Sequence, residues 1–113
     1  MDNIKNDSYF IQKAIGDINA IDNHTKNVTT YDEFMSDEMV VDAVMFRLVQ
    51  LIENVKNISS EFKNNHNDIP WGKILGFRNG IAHEYGATDY TIVFEIITKD
   101  IYGLRDLFIS AIN

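Results

Sequence analysis

The feature that most constrains this chain is an uninterrupted row of apolar residues, spaced three and four apart, between residues 41 and 62. The row consists of Val41, Val44, Leu48, Leu51, Val55, Ile58 and Phe62. This spacing marks one face of an α-helix, and a second row of Met45, Val49 and Ile52 widens it. We therefore predict one helix from about Ser36, its N-cap, to Asn64, roughly 40 Å long. Its apolar band is wide enough to serve both an internal core and a partner surface.

Three other segments share the helical period. Residues 7–24 carry apolar side chains on one face and can be capped by Asp7 or Ser8. Between the first helix and the long one, a short helical turn is expected after Thr30. A further helix is predicted from Pro70 to about Gly86. The last helix is predicted to begin near Asp89, its N-cap. Its apolar face is formed by Val93, Ile97, Ile101, Leu104 and Phe108.

Helix-breaking residues are scarce, with one proline and six glycines in 113 residues. The chain is therefore predicted to be all-α, an antiparallel four-helix bundle that occupies residues 1–113 as a single domain. The absence of cysteine excludes a disulfide scaffold, a thiolate zinc site and a cysteine nucleophile. A net charge of −7 argues against non-specific coating of nucleic acid. Without a signal sequence or an apolar run of ~20 residues, we expect a cytoplasmic chain with no membrane partner.

The residues able to do chemistry are concentrated between positions 78 and 85, in the sequence RNGIAHEY. Arg78 can donate two parallel N–H groups to a phosphate and stays charged at any working pH. His83 can accept or donate a proton near neutrality. On a helix, Arg78 and Tyr85 lie within about 20° of each other, and Asn79 and His83 share a neighbouring row. Ile74, Phe77 and Ile81 are expected to form an apolar edge beside them. This grouping suits metal-free cleavage of a phosphodiester. The sequence contains neither an HxxxH nor an HExxH pattern, either of which would indicate a metal site.

The segment FRNGIAHEYG resembles the Rx4HxY signature of the HEPN superfamily, and the whole chain resembles its HepT toxins. The resemblance extends to DEMVVDAVMFRLVQLIENVKNISSEF and to the IPW turn before the motif. It implies a helical bundle that forms a two-fold homodimer, with both motifs facing one cleft. It also implies a metal-independent endoribonuclease, the toxin of a type VII-like toxin–antitoxin system. The antitoxin of such systems is MntA, a small nucleotidyltransferase that transfers AMP from ATP onto the motif tyrosine.

By this resemblance, Arg78 and His83 are the catalytic residues, Asn79 and Tyr85 support them, and Tyr85 accepts AMP. No cofactor is implied. One chain supplies one motif histidine, whereas RNA cleavage needs both a base and an acid, and a two-fold dimer would supply two. Two other interpretations stay open. The chain could be a non-catalytic HEPN module that binds nucleotide or a partner, or a structural helical dimer.

Five residues outside the motif have alternative interpretations. His24 and His66 are expected to be exposed at helix ends. Trp71 is expected to anchor a helix start in the core, with base stacking as the alternative. Arg47 could pair with a neighbour or line the dimer cleft. Lys73 is expected to be a surface lysine, with a phosphate contact as the alternative.

Overall fold

The computed structural model describes residues 6–81 and 88–113. Within these ranges the chain is helical and contains no strand, which confirms the all-α prediction. The helices are α1 (Asp7–His24), α2 (Tyr31–Ser36), α3 (Glu38–Lys56), α4 (Ser60–Asn65), α5 (Trp71–Gly76), α6 (Arg78–Ile81), α7 (Tyr90–Glu95) and α8 (Ile101–Ile112), with a π-helical turn (Ile96–Asp100) joining the last two.

The centre of the bundle is the antiparallel pair α1 and α3, against which α8 packs on the α1 side. Asp7, at the start of α1, bonds to Ser59 just after α3, while Asp17 bonds further back along α3 to Arg47 and Asn54. The pairing therefore runs in opposite directions along the two helices. Six residues of the apolar row on α3 and its extension are fully or almost fully buried: Val41, Val44, Leu48, Leu51, Val55 and Ile58. The row thus forms the core, as the spacing predicted.

Side-chain caps set where the helices begin. Asn6 caps α1 by accepting a bond from the N–H of Tyr9 at 2.9 Å, so the prediction was wrong by one residue for Asp7 and by two for Ser8. Asp37, and not Ser36, caps α3 through the N–H of Val40. The expected turn after Thr30 is α2, which begins with a reciprocal Thr30–Glu33 capping box.

The long second helix is the main correction to the prediction, because it ends at Lys56 instead of continuing to Asn64. Ser59 has an extended backbone, with ψ of 153°, and caps the short helix α4. Its N–H and its hydroxyl each donate to the Asp7 carboxylate of α1, both at 2.7 Å. These bonds are unavailable to a residue inside a continuous helix, so the contact with α1 stabilises the break.

The third predicted helix is also divided. Helix α5 begins at Trp71 after Pro70, and the chain turns at Phe77 before α6. At that point the backbone hydrogen bonds reach back three residues, as in a 3₁₀-helix, instead of four. They run from Phe77 N–H to the carbonyl of Ile74 and from Gly80 N–H to the carbonyl of Phe77. The predicted end near Gly86 lies outside the described residues.

Helix α7 starts where predicted, since Asp89 accepts bonds from the N–H groups of Thr91 and Ile92. The chain stays helical through the π turn into α8. Its buried face contains the expected residues Val93, Ile97, Ile101, Leu104 and Phe108. The last predicted helix is therefore confirmed.

Candidate active site

Helix α6 carries the first half of the candidate motif and lies between α3 and α7. Gly80 is buried against α7, where a side chain at this position would bring its Cβ within 2.7 Å of Ile92 Cγ2. The carbonyl of Gly80 accepts the N–H of Asp89 at 2.8 Å, and the carbonyl of Ile81 accepts the hydroxyl of Thr88 at 3.0 Å. These contacts join residues 88 and 89, at the start of α7, to the end of α6.

A cleft of about 210 Å³ opens between α3 and α6. Val49, Ile52 and Glu53 line it from α3, and Arg78 and Ile81 line it from α6. The three α3 residues lie within one turn of each other on the same edge of the helix. The cleft therefore has apolar walls and two charged groups of opposite sign.

Arg78 is exposed, and in the part of the chain that the structure describes its side chain has no ion pair or hydrogen bond. Surface arginines commonly pair with acids, as Arg47 and Arg105 do here. An unpaired guanidinium keeps all five N–H donors available, and its planar fork fits a phosphate better than an ammonium does. The cleft can thus bind a phosphate group on its α6 side.

The other predicted site residues have different outcomes. Asn79 is exposed beside Arg78 on α6. His83 and Tyr85 lie outside the described residues, so their roles stay predictions. The expected apolar edge is corrected in part: Ile74 and Phe77 are buried in the core, because α5 packs against α3, and only Ile81 lines the cleft.

Next to the cleft, α3 exposes a row of apolar side chains, here called the α3 outer face: Met39, Phe46 and Val49. Met39 is 83% exposed and Phe46 59% exposed. Phe46 lies one turn before Val49, which itself lines the cleft. Ile92, on the other side of α6, is exposed as well. Exposed apolar groups clustered beside a polar site are typical of an interaction surface.

Arg47 pairs with a neighbour, the first of the two alternatives weighed from the sequence. Its Nη1 lies 3.1 Å from Oδ1 of Asp17, and Asn54 Nδ2 donates to the other carboxylate oxygen at 2.8 Å. Asp17 is only 3% exposed, and burial raises the pKa of its carboxyl above the usual value, although the bonds from Arg47 and Asn54 oppose this shift. Asp17 was not among the residues predicted from the sequence, although it interrupts the apolar face of α1 between Ala14 and Ile18.

The remaining candidates are structural. Lys73 is exposed and pairs with Asp100 at 3.2 Å, on the rim of a second groove of about 390 Å³ that Arg78 does not line. Trp71 anchors the start of α5, as expected, with its ring 6.1 Å from Phe108 and its Nε1 donating to the His66 carbonyl. His24 is exposed at the end of α1. His66 is half-buried instead, because its ring stacks on Phe62 at 4.2 Å.

Within residues 6–81 and 88–113, no three His, Asp or Glu side chains are grouped closely enough to hold a metal ion. No helix in these ranges has the length and hydropathy needed to span a membrane.

Among residues 6–81 and 88–113, the protein is an all-α bundle whose α3–α6 cleft presents an arginine with no partner in those ranges. The sequence profile of the family described as Ribonuclease HepT-like matches residues 11–111, and the chain therefore belongs to the HepT-like ribonuclease family of the HEPN superfamily. No solved structure gave a significant match.

Named relatives agree with this assignment. A Caldanaerobacter subterraneus subsp. tengcongensis protein named as a presumed RNase is 34% identical over 76 residues, covering 67% of this chain and 68% of the relative. A Thermococcus cleftensis protein named "Probable ribonuclease HepT" is 29% identical over 91 residues, covering 80% and 82%. A Methanocaldococcus jannaschii protein, also named as a presumed RNase, is 27% identical over 96 residues, covering 85% and 87%.

Proposed function

We propose that this protein is a metal-independent endoribonuclease, the toxin of a type VII-like toxin–antitoxin system. The observation that carries the proposal is the guanidinium of Arg78, which has no partner among residues 6–81 and 88–113, in the α3–α6 cleft of a chain from the HepT-like family. A guanidinium exposed at an apolar-walled cleft suits a phosphodiester, because its planar fork can donate two parallel N–H groups to the phosphate oxygens.

In the proposed reaction, a base removes the proton from the RNA 2′-OH and the oxygen attacks phosphorus. The bond from phosphorus to the 5′ oxygen breaks, and an acid protonates that oxygen as it leaves. The products are a 2′,3′-cyclic phosphate and a free 5′-hydroxyl. Arg78 holds the charge that builds up on the phosphate, and Asn79 supports the substrate. His83 of one copy acts as base and His83 of a second copy as acid.

The proposal requires a homodimer, and the α3 outer face supplies a suitable surface. Met39, Phe46 and Val49 expose apolar area that a two-fold partner would bury, and Val49 is shared with the cleft. A dimer formed there would place the two clefts near the symmetry axis, since an isologous interface brings equivalent residues together.

The proposed antitoxin is an MntA-like nucleotidyltransferase that transfers AMP onto Tyr85. Transfer joins the tyrosine oxygen to the α-phosphorus of ATP and releases pyrophosphate. In the helical register predicted from the sequence, the added group would bring a phosphate beside Arg78, and its negative charge would neutralise the site. This mode of control suits a cytoplasmic toxin that must be held inactive between stresses.

A second candidate function is a non-catalytic module that binds nucleotide or the partner protein. The acidic composition favours it, since a net charge of −7 repels RNA. The test of the two is cleavage of RNA in vitro by wild type, Arg78→Ala and His83→Ala, with and without EDTA. We expect the wild type to cut in EDTA, and each variant to lose activity by about 10²–10⁴-fold.

Arg105→Ala is the matched control for Arg78→Ala, because Arg105 pairs with Asn19 and Asp22 outside the cleft. Circular dichroism of each variant separates loss of folding from loss of chemistry. A wild type that binds RNA without cutting it would support the binding module. Loss of cutting in EDTA, or a His83→Ala protein that cuts at the wild-type rate, would rule out the proposed chemistry.

A further inference from the structure

The α3–α6 cleft contains a second charged group that the reaction above does not use, the carboxylate of Glu53. Glu53 and Arg78 line the cleft from different helices, with Val49, Ile52 and Ile81 also lining it. The two charged side chains do not form an ion pair, although they share one small cleft. A bound molecule could therefore contact both at once.

The Glu53 carboxylate is available to accept hydrogen bonds. Its side chain is 55% exposed, and its ion pair is a surface contact with Lys56, where Oε2 lies 3.5 Å from Nζ. Pairs of this kind between exposed groups contribute little to stability and exchange easily with solvent. An ionised carboxylate has two oxygens and no donor, so it selects for N–H and O–H groups.

The size and walls of the cleft indicate what would bind there. Its volume of about 210 Å³ is below the roughly 300–1,000 Å³ of sites that enclose a whole drug-sized ligand. It suits one flat ring and part of a sugar. The branched aliphatic side chains Val49, Ile52 and Ile81 offer apolar contact to the faces of such a ring, and Arg78 offers contact to an attached phosphate.

We propose that Glu53 is a specificity-determining residue that selects guanine at the nucleotide bound in this cleft. The inference rests on the proposed action on RNA and adds a base preference to it. Both Glu53 oxygens accept hydrogen bonds from the Watson–Crick edge of the base, while Arg78 binds the phosphate.

Guanine follows from the chemistry of the four bases. Its N1–H and N2 amino group are two adjacent donors, which match the two oxygens of a carboxylate. Adenine and cytosine each place a ring-nitrogen acceptor beside their amino group, and that acceptor repels one carboxylate oxygen. Uracil has one N–H between two carbonyl acceptors. Only guanine satisfies both oxygens of Glu53 without a repulsive contact.

The experiment uses DNA oligonucleotides that contain a single ribonucleotide, because cleavage requires one 2′-OH. The base of the ribonucleotide and the base that follows it are varied in turn through guanine, adenine, cytosine and uracil or thymine. Initial rates are measured for wild type, Glu53→Gln and Glu61→Gln. Glu61 is exposed on α4 and does not line the cleft, so its variant matches the change in net charge.

We expect the wild type and Glu61→Gln to prefer guanine over a pyrimidine at one of these positions by about tenfold, the discrimination given by one good bidentate contact. In Glu53→Gln this ratio should fall to about one, because the amide replaces an acceptor by a donor. A wild type without base preference, or a Glu53→Gln protein that keeps it, would overturn the inference. Equal loss on all substrates would overturn it as well, since that result indicates a catalytic or structural role.

A binding measurement separates this inference from the proposed function. Guanosine 5′-monophosphate and uridine 5′-monophosphate are titrated into wild type, Glu53→Gln and Glu61→Gln and followed by NMR chemical shifts. We expect tighter binding of the guanine nucleotide that is lost in Glu53→Gln alone. This result would support the inference even if the protein cuts no RNA, whereas equal binding of the two nucleotides by the wild type would overturn it.

Discussion

Arg47 on α3 and Asp17 on α1 form an ion pair in which Nη1 lies 3.1 Å from Oδ1, and the two partners differ greatly in burial. The Asp17 side chain is 3% exposed and the Arg47 side chain 40% exposed. Water can therefore solvate the arginine but hardly reaches the carboxylate. The contact joins the two central helices of the bundle, but it buries the charge of the Asp17 carboxylate. Its contribution to the free energy of unfolding therefore depends on pH.

The first prediction concerns that pH dependence. Burial raises the pKa of Asp17 above its ordinary value near 3.8, so the folded protein binds this proton more tightly than the unfolded chain does. The contribution of Asp17 to the free energy of unfolding must then fall as pH rises from near 3.8 through the folded pKa. Asp17→Asn does not titrate. Urea denaturation between pH 3.5 and 7 should show the wild type losing stability relative to Asp17→Asn.

Asp42→Asn is the control for the first prediction, because Asp42 is exposed on α3 and the change in charge is the same. It should follow the wild type across the pH range. If the wild type instead gained stability relative to Asp17→Asn as pH rises, the attraction of Arg47 would outweigh the burial of Asp17.

The second prediction concerns the packing of α6 on α7. Gly80→Ala would place a Cβ 2.7 Å from Ile92 Cγ2 and 3.2 Å from its Cβ, so the Ile92 side chain or the backbone of α6 or α7 must shift. We expect a loss of about 1–3 kcal/mol in the free energy of unfolding, as for other overpacked sites, together with loss of activity. Gly72→Ala meets no atom within 4 Å and should be neutral or slightly stabilising. Equal stability of the two variants by thermal denaturation would contradict this packing.

The third prediction concerns association through the α3 outer face. The wild type should be a dimer at micromolar concentration, and Val49→Arg should weaken the dimer at least tenfold because each interface would contain two added charges. Ile109→Arg is the matched control, since Ile109 is 40% exposed against 42% for Val49 but lies on α8. Sedimentation velocity measures both. A monomeric wild type would remove the composite site from the mechanism.

The fourth prediction concerns Tyr85. With a cognate nucleotidyltransferase, Mg²⁺ and ATP, the wild type should gain about 329 Da per AMP and lose toxicity. Tyr85→Phe lacks only the acceptor hydroxyl, so it should fold normally and show no mass shift. Tyr90→Phe should be modified like the wild type. Modification mapped by peptide mass spectrometry to Tyr90 or Tyr102 would exclude Tyr85 as the acceptor.

Local signals explain the parts of the fold that could be predicted. The bounds of α1 and the Asp89 cap of α7 depend on residues within one or two turns of each other. The burial of the apolar row on α3 likewise follows from the spacing of its residues. Such features depend on residues close together in the sequence, and errors in predicting them are small, as with the N-caps Asn6 and Asp37, which lie next to predicted caps.

The candidate site could be predicted only in part. The position of Arg78 in the motif indicated a phosphate contact, and the structure places this residue in a cleft without a partner among residues 6–81 and 88–113. Glu53 was not identified, because on its own helix it is an ordinary exposed acid with Lys56 one turn away. Its place in the cleft depends on the packing of α6 against α3, which no pattern within α3 predicts.

The sequence by itself determined the helical class of this protein, the faces its helices bury and the family to which it belongs, since these depend on local periodicity and motif spacing. Only the tertiary structure decided where the second helix breaks and which groups meet. The break at Ser59 depends on Asp7, 52 residues away, and the burial of Asp17 depends on partners 30 and 37 residues away. Hydrogen bonds and desolvation at such separations follow from how the helices pack, and packing is not encoded within any single helix.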